Sequence, residues 1–386
     1  MTDVIVIGGG LAGCATAYYL ASDGVDVLLL EQGDLNTGAS GNNAGSLHAQ
    51  LQHEPYLEFG EPWARAYIPA LRFFAASIAL WQRAAATIGA DLEVTLDGGL
   101  LVAADAAQMR RIEAKAAVER AAGLPIELLG SAELRRFAPY ISQRMVGASF
   151  CPIEGKANPL AAGPAFAAAA AARGARIRTG QQVTGIRRST AGFEVVTATG
   201  ETHRAPRLVN AAGINAGRMA ELVGASIDIQ AFAMQLSVTE PAAPLIKHLV
   251  YYVRDRLTMK QTKQGSILIG GGWPALVDER GRAQVSAQSL ARNLAVAIEV
   301  VPDTAAINIV RTWAAIVNGT HDWMPVLGEL PGVPGYFLNY VPWMGFTGAP
   351  AAGRIVASLV QGRLPPLDLD LAPFQPGSSL SAAGSC

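Results

Sequence analysis

The residues with the plainest chemical meaning stand at the start of the chain. Gly8-x-Gly10-x-x-Gly13 follows a short apolar run, Val4 to Ile7, and opens a stretch of helical pattern from Leu11 to Ser22. Asp23 and Gly24 stop that helix, and a second apolar run, Val25 to Leu30, ends at Glu31, 18 residues after Gly13. Glycines in such a turn let the main chain approach a pyrophosphate, whose charge is met by unpaired N–H groups and the positive end of the helix. A carboxylate closing the second strand accepts hydrogen bonds from a ribose diol and repels a 2′-phosphate, so the spacing predicts FAD or NAD and not NADP. No Lys or Arg precedes Arg65, whereas eight acids do, so main-chain dipoles must carry the phosphate recognition.

Three further stretches have the composition of ligand loops. Thr37-Gly-Ala-Ser-Gly-Asn-Asn-Ala-Gly45 is dense in turn formers, Leu208-Val-Asn-Ala-Ala-Gly213 is an apolar strand running into a glycine, and Gly345-Phe-Thr-Gly348 precedes a helix expected from about Pro350. Cys14, Cys151 and Cys386 are isolated, without CxxC spacing, so no disulfide framework, zinc site or iron–sulfur ligand set is expected, and a reducing cytoplasmic compartment fits. Cys151 reads as a small buried residue.

These residues need a large scaffold. The chain has 386 residues, 51% of them hydrophobic and only 16% charged, with 30 basic against 31 acidic side chains. That length suggests two domains, and a balance of -1 supplies no basic footprint for nucleic acid. The low charge fraction points to surface hidden in a large fold or under a partner. Neither the glycine-broken run from Val4 to Ser22 nor the alanine-rich Pro159 to Ala172 is suited to span a membrane. Helices are expected over 63–90, 106–122, 161–173, 286–300 and 350–361, the second with a polar face carrying Arg110, Arg111, Glu113, Lys115 and Glu119. Strands are expected at 98–103, 177–187, 193–197, 227–238, 248–260 and 266–271, and the stretch from Gln375 to Cys386 has the composition of a disordered tail. No internal repeat is evident.

With the N-terminal fingerprint, the Val209-Asn-Ala-Ala-Gly213 strand and the Gly345 turn in this order, the sequence resembles the FAD-dependent amine and D-amino-acid oxidoreductase superfamily over residues 3 to 363. That group includes D-amino acid oxidase, glycine oxidase and sarcosine oxidase. The resemblance implies a Rossmann-like FAD-binding domain of glutathione-reductase type, interleaved with an α+β substrate domain on a mixed, largely antiparallel sheet. Residues 1–85, 145–222 and 305–365 would form the first and 86–144 and 223–304 the second, with 366–386 a flexible tail. FAD, bound non-covalently, would be held at its ADP half by Gly8, Gly10, Leu11, Ala12, Gly13, Glu31 and Gln32. Ser40, Gly41, Asn42, Asn43, Ala44 and Gly45 would line the pyrophosphate and flavin, and Val183 would meet the adenine through its backbone. Ala211 and Gly213 would approach the pyrophosphate and ribityl chain, and the amides of Gly345, Phe346, Thr347 and Gly348 the N1–C2=O edge of the flavin.

Two features refine the resemblance. Glycine-oxidase-like relatives carry an Arg-Pro pair that anchors the substrate carboxylate, and here that place is Val317-Asn318; a second cation of relatives falls on Trp343 or Thr347. The stretches Trp313-Ala-Ala-Ile-Val317 and Lys260-Gln-Thr-Lys-Gln-Gly-Ser-Ile-Leu-Ile-Gly270 look closer to β subunits of multi-subunit amine dehydrogenases, including those of sarcosine oxidase, opine oxidase, D-hydroxyproline dehydrogenase and hydrogen cyanide synthase. Relatives that tether FMN use a His in the region matching Pro152 to Ala165, which has none. The resemblance thus implies hydride transfer from a C–N bond of an amino or imino acid to flavin N5, within a hetero-oligomer whose partner carries a second flavin or an iron–sulfur cluster. Candidate catalytic residues are His48, just past the flavin loop, Tyr252, Lys260 and Trp343, the last with Met344 as an apolar wall; Arg254 and Arg256 are further cations for a carboxylate. A 2-hydroxy acid dehydrogenase and a non-catalytic FAD-binding subunit are the alternatives. No metal site is expected.

Overall fold

The computed structural model describes residues 2–377. Its first layer is a six-stranded sheet in the order Val326–Glu329, Tyr336–Tyr340, Arg207–Asn210, Val4–Ile7, Val27–Leu30, Arg176–Arg178. All neighbours run parallel except the first two, which pair antiparallel. The central strands are buried on both faces, which is why they read as unbroken apolar runs. Val4, Val6, Val27 and Leu29 pack toward the helices Leu11–Ser22, Ile68–Ile88, Pro159–Ala171 and Gly345–Val360. Ile5, Ile7, Leu28 and Leu30 point the other way, onto the antiparallel three-stranded sheet Val183–Ser189, Gly192–Thr197, Thr202–Ala205.

The second layer is an eight-stranded sheet in the order Ile309–Gly319, Gln230–Pro241, Ser266–Pro274, Thr258–Gln261, Leu249–Tyr252, Gly99–Ala103, Gly147–Cys151, Glu127–Gly130, antiparallel apart from the pair Leu249–Tyr252 and Gly99–Ala103. Period-two alternation divides its residues cleanly. Leu100, Val102, Val250, Tyr252, Met259 and Ile269 face the helix Ala287–Val300, while Leu101, Tyr251 and Leu236 face a cavity on the opposite side.

Several expectations change in detail. The helix expected over 63–90 is two, His53–Ala66 and Ile68–Ile88, the first starting earlier and broken at Gly60, whose φ of 73° no helix accommodates. The 248–260 stretch is a hairpin, Leu249–Tyr252 and Thr258–Gln261, and 177–187 divides between two sheets. The last long helix begins at Gly345, so Pro350 lies inside its first turns. Strands Gly147–Cys151 and Ile309–Gly319, expected in the nucleotide domain, pair into the eight-stranded sheet, so the layers interleave more finely than the expected boundaries. The expected tail is anchored through its first part, with Phe374 buried against Phe73; residues 378–386 lie outside the described residues.

Candidate active site

The glycine turn is a crossing of three main-chain segments. Gly8 has φ +111°, and a Cβ on it would lie 2.4 Å from the Ala211 carbonyl oxygen; one on Gly13 would lie 1.9 Å from the Gly8 carbonyl oxygen. No side chain larger than hydrogen fits at either place. The Leu11–Ser22 helix begins beyond it with no side-chain cap from Gly10 and no acid in its first turn; the Leu11 N–H donates instead to the Ser40 hydroxyl, 3.0 Å away. Glu31 accepts from the Gly9 N–H (2.6 Å) and the Gly33 N–H (2.9 Å), one on each oxygen, which fixes its carboxylate beside the turn and leaves each oxygen a further lone pair. Gln32, beside it, is exposed. Gln181 donates its N–H to the Glu31 carbonyl, so the strand that starts at Val183 passes this edge of the crossing. Ala211 is buried against Gly8, and Gly213 opens a short helical turn at φ +56° with open space around it.

A cavity of about 530 Å³ lies between the loop Asn42–Ala44, the N-terminus of the Gly345–Val360 helix and the eight-stranded sheet. That helix too has no side-chain cap and no acid in its first turn, so its leading amides are available to an electron-rich group. Thr347 ties the helix to the wall: its hydroxyl accepts from the His48 N–H and donates to the Ser46 carbonyl, both at 3.1 Å, while its own carbonyl accepts from Ser77 and Trp81. Phe346, Met344 and Trp343 form one apolar side of the cavity. Trp343 sits at φ +57° and stacks on Trp323, at φ +68°, with ring centroids 4.5 Å apart; Phe232 closes on its other side. Two bulky residues held in the left-handed region mark a strained wall.

Facing that wall, the His48 Nδ1 and the Tyr251 hydroxyl share a hydrogen bond of 2.6 Å. Burial, with the nearby Lys260 adding to it, depresses the His48 pKa to about 3, and burial followed by the Glu154 carboxylate pushes the Tyr251 phenol well up. The pair is therefore neutral and polar at physiological pH. Glu154 beneath it is fully buried and accepts the N–H groups of Ala49 (2.6 Å) and Gln50 (2.8 Å) and the Gln50 side-chain amide (2.8 Å), which locks the cavity wall in place.

The structure brings His48, Trp343, Phe346, Thr347, Asn42, Asn43 and Ala44 to this one cavity, and directs the polar groups of other candidates away from it. Tyr252 borders the cavity too, but its hydroxyl turns to the far face and donates to Glu299 at 3.0 Å; its neighbour Tyr251 holds the place expected of it, because side chains alternate along the strand. Arg254 is on that far face too, paired with Glu299, whereas Arg256 lies on the cavity rim and bonds the Gly272 carbonyl. Lys260 is buried and donates to the Ser46 hydroxyl; burial, reinforced by Lys156, holds its pKa well below normal. It lines a second cavity, of about 1000 Å³, on the other side of the Asn42–Ala44 loop and Trp313. Cys14 and Cys151 are buried free thiols, both pushed up by burial. Unanticipated are Tyr251, Gln50, Glu154 and, most of all, Lys115, a buried lysine on the cavity wall.

The crossing excludes every side chain where a pyrophosphate must pass, and uncapped helix N-termini begin at the crossing and at the cavity, so the residues present fit a dinucleotide carrying an aromatic redox ring. This is the arrangement of a flavin-dependent oxidoreductase. The family model for FAD-dependent oxidoreductases of the DAO family matches residues 3–359, and the chain belongs to that family. Its cofactor is FAD. Among curated relatives, glycine oxidase of Geobacillus kaustophilus is 28% identical, with 96% of each chain covered. The B chain of opine oxidase from Rhizobium meliloti is 27% identical over 94% of each. The beta chain of sarcosine oxidase from Arthrobacter is 26% identical over 93% of this chain and 86% of the relative. The crystal structure of the G. kaustophilus glycine oxidase superposes with a TM-score of 0.81 over 97% of both chains. L-proline dehydrogenase from P. horikoshii, 22% identical with a TM-score of 0.82 over 97% of this chain and 96% of that one, has the same fold. No helix among the described residues is long and apolar enough to cross a membrane, and no cluster there could hold a metal.

Proposed function

We propose that the enzyme oxidises the C–N bond of an amino or imino acid, in the range of D-amino acids, D-hydroxyproline, opines and sarcosine, as the catalytic subunit of a hetero-oligomeric dehydrogenase. The observation that carries the reading is the cavity that runs from the uncapped Gly345–Val360 helix past the neutral His48–Tyr251 pair. Gly8 to Gly13, Glu31, Ser40 to Gly45, Val183, Ala211, Gly213 and Gly345 to Gly348 would hold FAD. Bound there, FAD supplies a two-electron acceptor.

The chain's own residues do the rest by position. Neutral His48 and Tyr251 accept the substrate amine in its uncharged form, whose lone pair assists loss of the α-hydrogen; among the described residues the His48 Nε2 has no protein partner and is left for a ligand. Trp343, Met344 and Phe346 exclude water from the reacting carbon. Lys260, held toward its neutral form and bonded to Ser46, steadies the flavin loop from behind. Support for a partner comes from the opine oxidase and sarcosine oxidase relatives, each named as one component of a larger enzyme. The second cavity adds to it, since it shares Asn42, Asn43, Ala44 and Trp313 with the first and so would lie one loop away from a ligand bound there. The partner would carry a second flavin or an iron–sulfur cluster as the electron acceptor. Free buried Cys14 and Cys151 accord with the cytoplasm.

The test is anaerobic bleaching of the flavin absorbance by a panel of sarcosine, D-proline, D-hydroxyproline, D-amino acids and opines, against lactate and malate. Bleaching by at least one amine acid and by neither hydroxy acid is expected. Bleaching by the hydroxy acids alone, or by none with the partner protein present, overturns the reading.

A further inference from the structure

The places where the resemblance puts the relatives' two carboxylate-anchoring cations, Val317 and either Trp343 or Thr347, line the cavity without a charge. It nevertheless contains one buried cation. Lys115, 1% exposed, reaches the cavity wall from the helix Ala106–Ala121, where its ammonium donates to Glu119 Oε1 at 2.5 Å. The same carboxylate oxygen also accepts the Leu51 N–H at 2.8 Å, while Oε2 has no partner. An ammonium has three N–H donors, and among the described residues Glu119 is the one acceptor of Lys115, so two donors are left over. Beside it on the same wall is His53, whose two ring nitrogens are buried; the Val253 carbonyl lies near the ring, but neither nitrogen makes a hydrogen bond of good geometry. Burial first, and then Lys115, hold its pKa down at about 4, so the ring is neutral and sits in a positive field.

A Lys–Glu pair kept only for packing would close on itself, since donors left unmet in the interior are destabilising. Unmet donors on a cavity wall are instead what an anionic ligand needs. Of the other charges on this wall, Glu58, Asp255 and Arg256 belong to exposed or half-exposed residues, and Glu54 is an exposed residue next to His53 whose carboxyl pKa burial pushes up. Lys115 also lies close enough to Glu154, beneath the His48–Tyr251 pair, to act on it electrostatically.

We infer that Lys115 and His53 form the carboxylate subsite of the substrate cavity, in place of the anchors that the resemblance would set at Val317 and at Trp343 or Thr347. The inference rests on the amine-acid reading above: the carboxylate is held by the spare Lys115 donors and the His53 ring while the amine meets His48 and Tyr251. Specificity then belongs to substrates that reach both ends, and Glu119 is the positioning residue that aims Lys115.

Equilibrium binding of propionate and propionamide to the full-length, FAD-loaded protein tests it without turnover, read from the fluorescence of Trp313, Trp323 and Trp343, which line the same cavity. Propionate is expected to bind at least tenfold tighter than propionamide. The paired replacement Lys115→Met with Glu119→Met removes both charges together and so leaves none uncompensated; FAD content is expected to hold while the propionate preference vanishes. His53→Asn, which touches no ion pair, is expected to weaken propionate several-fold. In the wild type the His53 pKa, followed by NMR, should rise when propionate binds. Unchanged propionate affinity in His53→Asn or in the double variant, or no preference over propionamide in the wild type, overturns the subsite. Loss of propionate binding in the variants of a protein whose flavin no amine acid reduces would uphold the subsite and remove the functional reading.

Discussion

The two ends of the ligand path are built on opposite principles. At the proposed dinucleotide crossing recognition would come from side chains that are missing: Gly8 and Gly13 bring main-chain segments into contact and leave main-chain amides for a ligand. At the proposed substrate end it would come from long polar side chains driven into the interior: Lys115 is held by Glu119 four positions on, and Glu119, Glu154 and Tyr251 are held by Leu51, Ala49 with Gln50, and His48, all far away in sequence. The first kind of site tolerates no added atom. The second tolerates paired changes and fails on unpaired ones.

The contrast can be broken at either end. The largest effect is expected from Gly13→Val, whose Cβ would overlap the Gly8 carbonyl oxygen at 1.9 Å; FAD content, from the ratio of flavin to protein absorbance, should fall below about a tenth of wild type, with a loss above ~3 kcal/mol in folding stability. Recovery of near-stoichiometric FAD would refute the crossing. Next comes Glu119→Gln, which strands the buried Lys115 ammonium: urea unfolding should show a loss of about 3–5 kcal/mol, in contrast to the far milder double replacement.

The pH dependence is smaller. His48 has a folded pKa of about 3 against an ordinary value of 6.5, so below pH 6.5 the unfolded state binds more protons, and stability falls as pH drops toward 3 by about 1.4 kcal/mol per unit. His48→Gln removes that slope. The stability difference between wild type and variant should therefore shift by about 2 kcal/mol between pH 7 and pH 5, against wild type at the lower pH; an unshifted difference would mean that His48 is not buried in its neutral form. Smallest is Ser40→Ala, which deprives the Leu11 N–H of its acceptor and should cost about 1 kcal/mol by thermal unfolding, with FAD retained.

The same contrast explains what could be read from the sequence. Gly8, Gly10, Gly13 and Glu31 were legible because a turn that excludes side chains restricts residue type at fixed spacing, and the flanking strands, buried on both faces, show as apolar runs. Lys115 and Glu119 were not, because a Lys–Glu pair at i and i+4 on a helix has the pattern of a solvated face; only the packing of that helix under the Ala49–Leu51 segment turns it inward. Tyr251 and Tyr252 differ by the parity of one strand, which no local signal sets, so the expectation fell on the wrong neighbour. Thr347 stands where a relative's cation was looked for, and its role as a clip between the Gly345–Val360 helix and Ser46 depends on contacts some 300 positions apart.

That parity also allows the most direct test of the claim that substrate is oxidised on the His48–Tyr251 face. Single-turnover reduction of the flavin under anaerobic conditions, with whichever amine acid bleaches it fastest, should slow about 10- to 100-fold in Tyr251→Phe and stay within about twofold of wild type in Tyr252→Phe, whose hydroxyl meets Glu299 on the far face. A slow Tyr252→Phe beside an unimpaired Tyr251→Phe would place the chemistry on the other side of the sheet and contradict the account.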